Sequence, residues 1–397
     1  MLKVGLIGNG GREWMAGVLY QQSLLAGNQL LSEKERADFA IFLHHEYHDV
    51  RDYGEVDQMY THIETFDFYY GKPVPFLHKN YQFLNNIRRG KLQWPKDRLP
   101  SRLAEQKIEV IFPANELLVK DSPVRQVCWI PDFQHVYFPQ FFSRRESGYR
   151  NRLLRRMSRL ADLLIVSNDF SRADAIRIAP EIEPKIKVLP FTMWLGDDWQ
   201  TADFRDYVKK HQLPDKFLIF PSQWWVHKNH RLLFEAINLV KRAGLADIAL
   251  VCTGLAHDRR FPRYAEELNA YIRDYGLEDN IFALNYLPRQ EQVQLMRAAC
   301  AVVQPSLFEG WSAIVEDARS LGKTILASDI PMHHEHGEED IYFFNPNSVA
   351  ELADRILKLW PVLTPGTPPL KEAKAKDAYE KNLKLFSKNF IDLCQYI

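Results

Sequence analysis

Glu309 and Asp317 stand eight positions apart in QPSLFEGWSAIVEDARSLGK (304–323), and Lys228 stands in FPSQWWVHKNH (220–230). A carboxylate in the loop before a helix can accept from the hydroxyls of a sugar, while one two turns on reaches a more distant part of the same ligand. A compact ammonium such as Lys228 suits a diphosphate. Ser312 is a good N-cap type, so a helix starting behind it would present the N–H groups of Ala313, Ile314 and Val315 to an anion. Glu316 adjoins Asp317 and could take its place. Acids in a first turn also complement the helix dipole, which would account for Glu316 and Asp317 but not for Glu309-Gly310.

Two further loops carry polar groups. Gly8-Asn9-Gly10-Gly11 follows an apolar run and precedes a helical stretch beginning near Arg12. Glycines there let backbone approach a ligand, although a plain tight turn is an equally simple reading. As a nicotinamide fingerprint, G-x-G-x-x-G, the run fails at its third glycine, where position 13 is Glu. Ile130-Pro131-Asp132-Phe133-Gln134-His135 ends another apolar run and offers an imidazole suited to proton or hydroxyl handling.

These loops need a scaffold that places them at strand ends. Short β-branched or leucine-rich runs recur at 2–7, 38–43, 108–112, 126–130, 163–167 and 185–189, then at 217–220, 247–252, 281–284, 301–304, 324–327 and 341–344, separated by helix-length segments. That alternation predicts βαβ units and parallel sheets: an α/β chain of two Rossmann-like, doubly wound domains facing a central cleft. The expected division is 1–200 and 201–370, with the seam near 191–215. Residues 361–370, holding four prolines and a glycine, read as a connector, and 371–397 as a helical tail that returns to the first domain. The stretch 51–105 has no clear period and reads as an insertion.

Composition narrows the function classes. The 397 residues are 46% apolar and 26% charged, an ordinary globular balance. Lysine plus arginine equal aspartate plus glutamate at 51 each, so no global field draws nucleic acid, and no such partner is expected. Cys128, Cys252, Cys300 and Cys394 lie far apart without a C-x-x-C pair, and His333, His334 and His336 lack the spacing of a zinc site, so no metal is expected. The opening MLKVGLIG is too short for a signal segment, which predicts a cytoplasmic protein. Residues 144–159 carry seven arginines and one glutamate, with leucines and Met157 opposite Arg152, Arg155, Arg156 and Arg159. This basic amphipathic helix either packs on its own domain or also meets anionic headgroups at the inner membrane face or a phosphorylated acceptor.

Taken together, these residues resemble the retaining GT-B glycosyltransferases of the family-4 type (glycosyl transferases group 1). Glu309 to Ala318 looks like their E-x7-E element. Pro221, His227-Lys228-Asn229-His230, Thr253-Gly254, Leu321-Gly322-Lys323, Ser328-Asp329-Ile330-Pro331 and His333 match as well. The resemblance covers roughly 125–360 and, more weakly, the glycine turn. It departs at position 317, where Asp replaces the usual Glu, and at Gln223, where an Arg often accompanies the lysine.

The resemblance implies a UDP- or GDP-sugar donor held by the second domain and a glycan, lipid-linked or small-molecule acceptor held by the first. Transfer would retain the anomeric configuration and use no cofactor or metal. Lys228 and the amides of Ala313, Ile314 and Val315 would take the diphosphate. Glu309 with the backbone of Gly310, Trp311 and Ser312 would hold the sugar, and Asp317 or Glu316 the ribose. Leu287 would flank the base, while Gly10, Gly11, Gln223 and Gly254 would line the donor and His135 would approach the reacting sugar from the other domain. A catalytically silent homologue that binds a sugar nucleotide as a complex subunit is the alternative, motivated by Asp317 and Gln223.

Overall fold

A computed structural model describes residues 1–9, 15–44, 58–66, 99–115, 117–197 and 199–397. Gly10 and Gly11, and most of the 51–105 stretch, lie outside the described residues. The chain divides into two compact units, Met1–Phe191 with Leu383–Ile397, and Thr192–Asn382. It therefore leaves the first unit at Phe191 and rejoins it at Leu383, partway along the helix Pro369–Gln395.

The first unit is built on β1 (Lys3–Ile7), β2 (Asp38–His44), β3 (His62–Phe66), β4 (Val110–Phe112), β5 (Arg125–Trp129), β6 (Leu163–Val166) and β7 (Ile186–Val188). These pair in the order β3-β2-β1-β4-β5-β6-β7, all parallel. Burial on both faces explains why β1 and β6 read as continuous apolar runs rather than alternating ones. β3, sequence HIETF, sits inside the aperiodic 51–105 stretch and is the one described strand that the apolar runs miss. It lies at the end of the sheet order, where an edge strand tolerates charge.

Tyr20, on the helix Met15–Gln29, anchors this core, with its ring 4.5 Å from Trp129 and 5.0 Å, edge-on, from Phe386. The last turns of the Pro369–Gln395 helix pack there: Leu383, Phe386, Phe390 and Ile391 are buried. The approach is close at Gly27, where a Cβ would lie 2.3 Å from the Leu383 carbonyl oxygen, and Ser387 Oγ donates to Leu24 O at 2.7 Å.

The basic helix Arg144–Leu160 is capped by Ser143 Oγ, which accepts from Glu146 N at 3.1 Å. It buries Leu154 and Met157 in its own unit. Arg156 donates to Leu118 O at 2.6 Å and Arg150 lies 4.7 Å over the Phe142 ring, whereas Arg144, Arg145, Arg152, Arg155 and Arg159 stay exposed. Among the described residues no helix is long and apolar enough to cross a membrane.

The second unit is built on β8 (Leu218–Pro221), β9 (Leu250–Thr253), β10 (Ile281–Ala283), β11 (Ala301–Gln304), β12 (Thr324–Ser328) and β13 (Ile341–Phe344), parallel in the order β10-β9-β8-β11-β12-β13. The helices His230–Arg242 and Val349–Leu359 bury Leu233, Phe234, Ile237, Leu352 and Ile356 against this sheet. The connector after Val349–Leu359 is held by Lys323, whose ammonium donates to the carbonyls of Arg297 at 3.1 Å and Gly366 at 2.9 Å, and to that of Ala299. Burial draws this lysine down to about 7.

In both sheets the strand order reverses beside the first strand of the unit, between β1 and β4 and between β8 and β11. Loops leaving the carboxyl ends of such a pair diverge, and ligands of open parallel sheets bind there.

Candidate functional site

The β8–β11 reversal brings Lys228 and Glu309 together. Lys228 ends the single turn Val226–Lys228 that follows β8, and Asn229 stops that turn by entering the left-handed region at φ 63°. Asn229 Nδ2 then donates to Pro305 O at 3.1 Å and to Pro346 O at 2.9 Å, while Leu307 N donates to His227 O at 2.8 Å. The loop after β8 is thereby stitched to the loop after β11. Asp258 Oδ2 accepts from Val226 N at 3.2 Å and supports the turn from behind. Burial first, and then the charges of Lys228 and Arg260, hold the His227 imidazole well below its ordinary value, so it stays neutral beside the ammonium.

Lys228 Nζ lies 2.7 Å and 2.9 Å from the two Glu309 oxygens, with side chains only 13% and 10% exposed. Gln304, the last residue of β11, donates from Nε2 to Glu309 Oε1 at 2.8 Å and to Ser312 Oγ at 3.1 Å. One amide thus fixes the carboxylate and the residue before the helix. A buried ion pair of this kind adds little net stability, but removing one partner strands the other at about 3–5 kcal/mol. The cation and carboxylate are thus fixed against each other at the end of β11.

Ser312 corrects one expectation. It occupies the N-cap position of the helix Ala313–Ser320, but at φ 67° and ψ 70° its side chain makes no cap bond, because its hydroxyl faces Gln304 instead. The first backbone bond of that helix runs from Glu316 N to Ser312 O at 3.1 Å. The amides of Ala313, Ile314 and Val315 precede it with no side-chain cap, which leaves the helix start better suited to an anion than a capped one.

Gly254 lies behind this site. Its φ is 97°, and a Cβ there would sit 2.3 Å from the Ser222 carbonyl oxygen, so only glycine fits. Gln223 does not present its amide oxygen outward as expected of a donor-lining group, since that oxygen accepts from Leu255 N at 2.7 Å and fixes the Gly254 turn. Leu287 is buried in the loop between β10 and the helix Arg289–Ala298.

The two acids inside the helix meet protein partners. Both Asp317 oxygens are held by Arg289, at 2.6 Å and 2.7 Å, and Arg289 also donates to Trp194 O at 3.1 Å. Glu316 accepts from Thr192 Oγ1 at 2.9 Å and lies 3.3 Å from His336 Nδ1. Burial pushes Glu316 up, yet the His336 contact, the Arg319 charge and the Thr192 bond leave its carboxyl below the ordinary value. The ribose role expected of Asp317 or Glu316 therefore meets carboxylates already occupied, because both side chains turn inward from the first turns of a helix packed on the sheet.

In the first unit, His135 lies buried in the short helix Gln134–Tyr137, with Nε2 2.9 Å from Asn151 Oδ1 and Nδ1 without a hydrogen-bond partner. Gly10 and Gly11 fall outside the described residues. Gln304, Arg289 and Thr192 were not foreseen. Gln304 alone left a signal, a polar residue ending the apolar run AVVQ; the other two act across separations that spacing does not reveal.

Two Rossmann-like units of parallel strands, each with its order reversed beside the first strand, define the GT-B architecture. The protein from Anabaena, Alr3699/HepE, solved in complex with UDP and glucose, has the same fold, with a TM-score of 0.65 at 15% identity over 100% of this chain and 98% of its own. Residues 203–360 match the family described as Glycosyl transferases group 1, a range that holds Lys228, Glu309 and the helix start. Among curated proteins the chain is 23% identical over 229 residues to the O-antigen chain mannosyltransferase RfbU of Salmonella typhimurium, covering 56% of this chain and 57% of the relative. It is 21% identical over 239 residues to the O-antigen chain mannosyltransferase B of Escherichia coli, covering 59% and 61%. The match thus spans about three-fifths of the length of these relatives.

Proposed function

We propose that this chain is a retaining glycosyltransferase that moves a sugar from a UDP- or GDP-sugar to a glycan, lipid-linked or small-molecule acceptor in the building of surface or secreted polysaccharide. The observation that carries the reading is the Lys228–Glu309 pair at the β8–β11 reversal, next to the uncapped start of the Ala313–Ser320 helix. The O-antigen relatives and the UDP and glucose in the Anabaena complex support the substrate class.

Departure of a nucleoside diphosphate develops negative charge that fixed donors stabilise. Lys228 is assigned to that charge together with the amides of 313–315, and this lysine-and-amide set makes a metal unnecessary to the scheme. As the ammonium turns to the diphosphate, Glu309, still held by Gln304, is released to accept from a sugar hydroxyl. The first unit is assigned the acceptor, with His135 as its catalytic polar group. The exposed arginines of the Arg144–Leu160 helix are assigned to anionic headgroups at the cytoplasmic membrane face.

The experiment is release of UDP or GDP from a panel of sugar nucleotides, with Glu309→Gln and Lys228→Ala alongside. Both variants are expected to lose at least about 10²-fold, the scale of one charge-stabilising contact. Full activity in both would refute the roles. A second reading, a silent subunit that binds a sugar nucleotide, is favoured by the engagement of Asp317 with Arg289 and of Gln223 with Leu255. Turnover by the isolated protein would eliminate it.

A further inference from the structure

His333 belongs to the short helix Pro331–His334 after β12, and β12 runs beside β11 with Gln304 opposite Ala327. The residue is fully buried, and its Nδ1 lies 2.8 Å from Ser328 O. A carbonyl oxygen only accepts, so Nδ1 carries the proton and Nε2 is left with a bare lone pair. That Nε2 is buried and has no hydrogen-bond partner. Burial pushes the imidazole down to about 4, so it stays neutral, and Glu309 and Lys228 are among the charges that act on it.

Two other buried polar atoms of these strand ends also lack a partner, Gln304 Oε1 and Ser306 Oγ. Ser306 is tied to His333 through Ser328, whose Oγ donates to Ser306 O at 2.5 Å. Gln304 is tied to Glu309 through its other amide atom. Two acceptors and a hydroxyl, buried and unpaired, are costly unless something brings donors to them. An ionised phosphate brings only acceptors and does not meet that need. A sugar hydroxyl does, because it can donate to one group while accepting from another.

We propose that His333 is a sugar-binding residue of this site, a neutral imidazole whose Nε2 accepts from a hydroxyl of the transferred sugar, with Gln304 Oε1 as the second acceptor. The inference rests on the donor reading above and divides the site by chemistry. Lys228 and the helix start take the diphosphate; the ends of β11 and β12 read hydroxyls.

The test is calorimetric titration of wild type, His333→Phe and His333→Gln with UDP, GDP, UDP-glucose, UDP-galactose, UDP-N-acetylglucosamine and GDP-mannose. In the wild type at least one sugar nucleotide is expected to bind more tightly than its own diphosphate. His333→Phe is expected to weaken that sugar nucleotide by about tenfold, the worth of one hydrogen bond, while changing the matching diphosphate by less than about twofold. His333→Gln, which retains an acceptor, should recover part of the loss. The ratio of the two affinities within one variant does not depend on how much of the sample is folded, so a purely structural role would leave it unchanged. An unchanged ratio in His333→Phe, or a wild type that binds diphosphates with no sugar nucleotide tighter, overturns the His333 assignment alone. Failure of the wild type to bind any of the six ligands overturns the donor reading and this inference with it.

Discussion

The strand ends at the β1–β4 reversal and those at the β8–β11 reversal arise from the same strand order, yet among the described residues they carry different chemistry. At the first, the described groups are neutral: Gly8 donates to Phe42 O at 3.0 Å, and Asn115 makes a two-way bond with the Trp129 backbone at 2.6 Å and 2.9 Å. At the second, a buried ammonium and carboxylate face each other beside an open helix start. Strand order decides where a ligand can sit; side chains decide which ligand.

The largest expected effect tests that asymmetry directly. Lys228→Ala and Glu309→Gln should each lower transfer by about 10²-fold or more, whereas Asn115→Asp, which puts a charge at the quiet reversal, should leave nucleotide affinity unchanged. A loss of nucleotide affinity in Asn115→Asp as large as that in Lys228→Ala would erase the distinction.

Two glycines sharpen it next. Gly27→Ala drives a Cβ to 2.3 Å from Leu383 O in the first unit, and Gly254→Ala drives one to 2.3 Å from Ser222 O in the second. Both variants should lower the thermal midpoint. Gly254→Ala, strained also by its φ of 97°, should cost at least about 1–3 kcal/mol. Only Gly254→Ala should weaken nucleotide binding, because its turn backs the Lys228 loop.

Acid should weaken the second unit more than the first, through its buried histidines. Burial, with a contribution from Lys228, lowers His230 to about 3, and His227 and His333 are lowered as well. Their folded pKa lies below the unfolded one, so the stability they allow is present above about pH 6.5 and is lost as pH falls toward the folded values. Asp174, in the first unit, is shifted the other way by burial, so its contribution is present at low pH and lost as pH rises through its folded value. Urea unfolding of the whole chain at pH 7 and pH 5 should show the second unit, followed by its tryptophans near 224, weakening more on acidification. Equal loss in both units would contradict the assignment.

The smallest effect concerns Ser312, whose φ of 67° is a conformation that glycine adopts without cost. Ser312→Gly should be more stable than Ser312→Ala by about 1 kcal/mol in thermal unfolding.

Much of this was legible in the sequence because parallel strands buried on both faces leave unbroken apolar runs, and because Lys228 and Glu309 each lie in the loop that follows such a run. β3 was not legible: an edge strand with His62, Glu64 and Thr65 in five residues has no apolar signature. The cap role of Ser312 was misread because residue type does not reveal that Gln304 competes for its hydroxyl. The ribose role of Asp317 came from the family resemblance, and a motif places a carboxylate in the chain without showing Arg289 paired with it. His333 was visible only as part of a motif, since its unpaired nitrogen depends on the backbone carbonyl of Ser328.

The central claim is that a pyrophosphate docks between the Lys228 ammonium and the amides that open the Ala313–Ser320 helix. Thermal shift of wild type and Lys228→Ala with UDP and GDP tests it most directly, since a ligand that binds only the folded protein raises its midpoint by mass action. The account predicts a concentration-dependent rise for at least one diphosphate in the wild type and its loss in Lys228→Ala. No rise with either nucleotide, or an equal rise in both proteins, would contradict it.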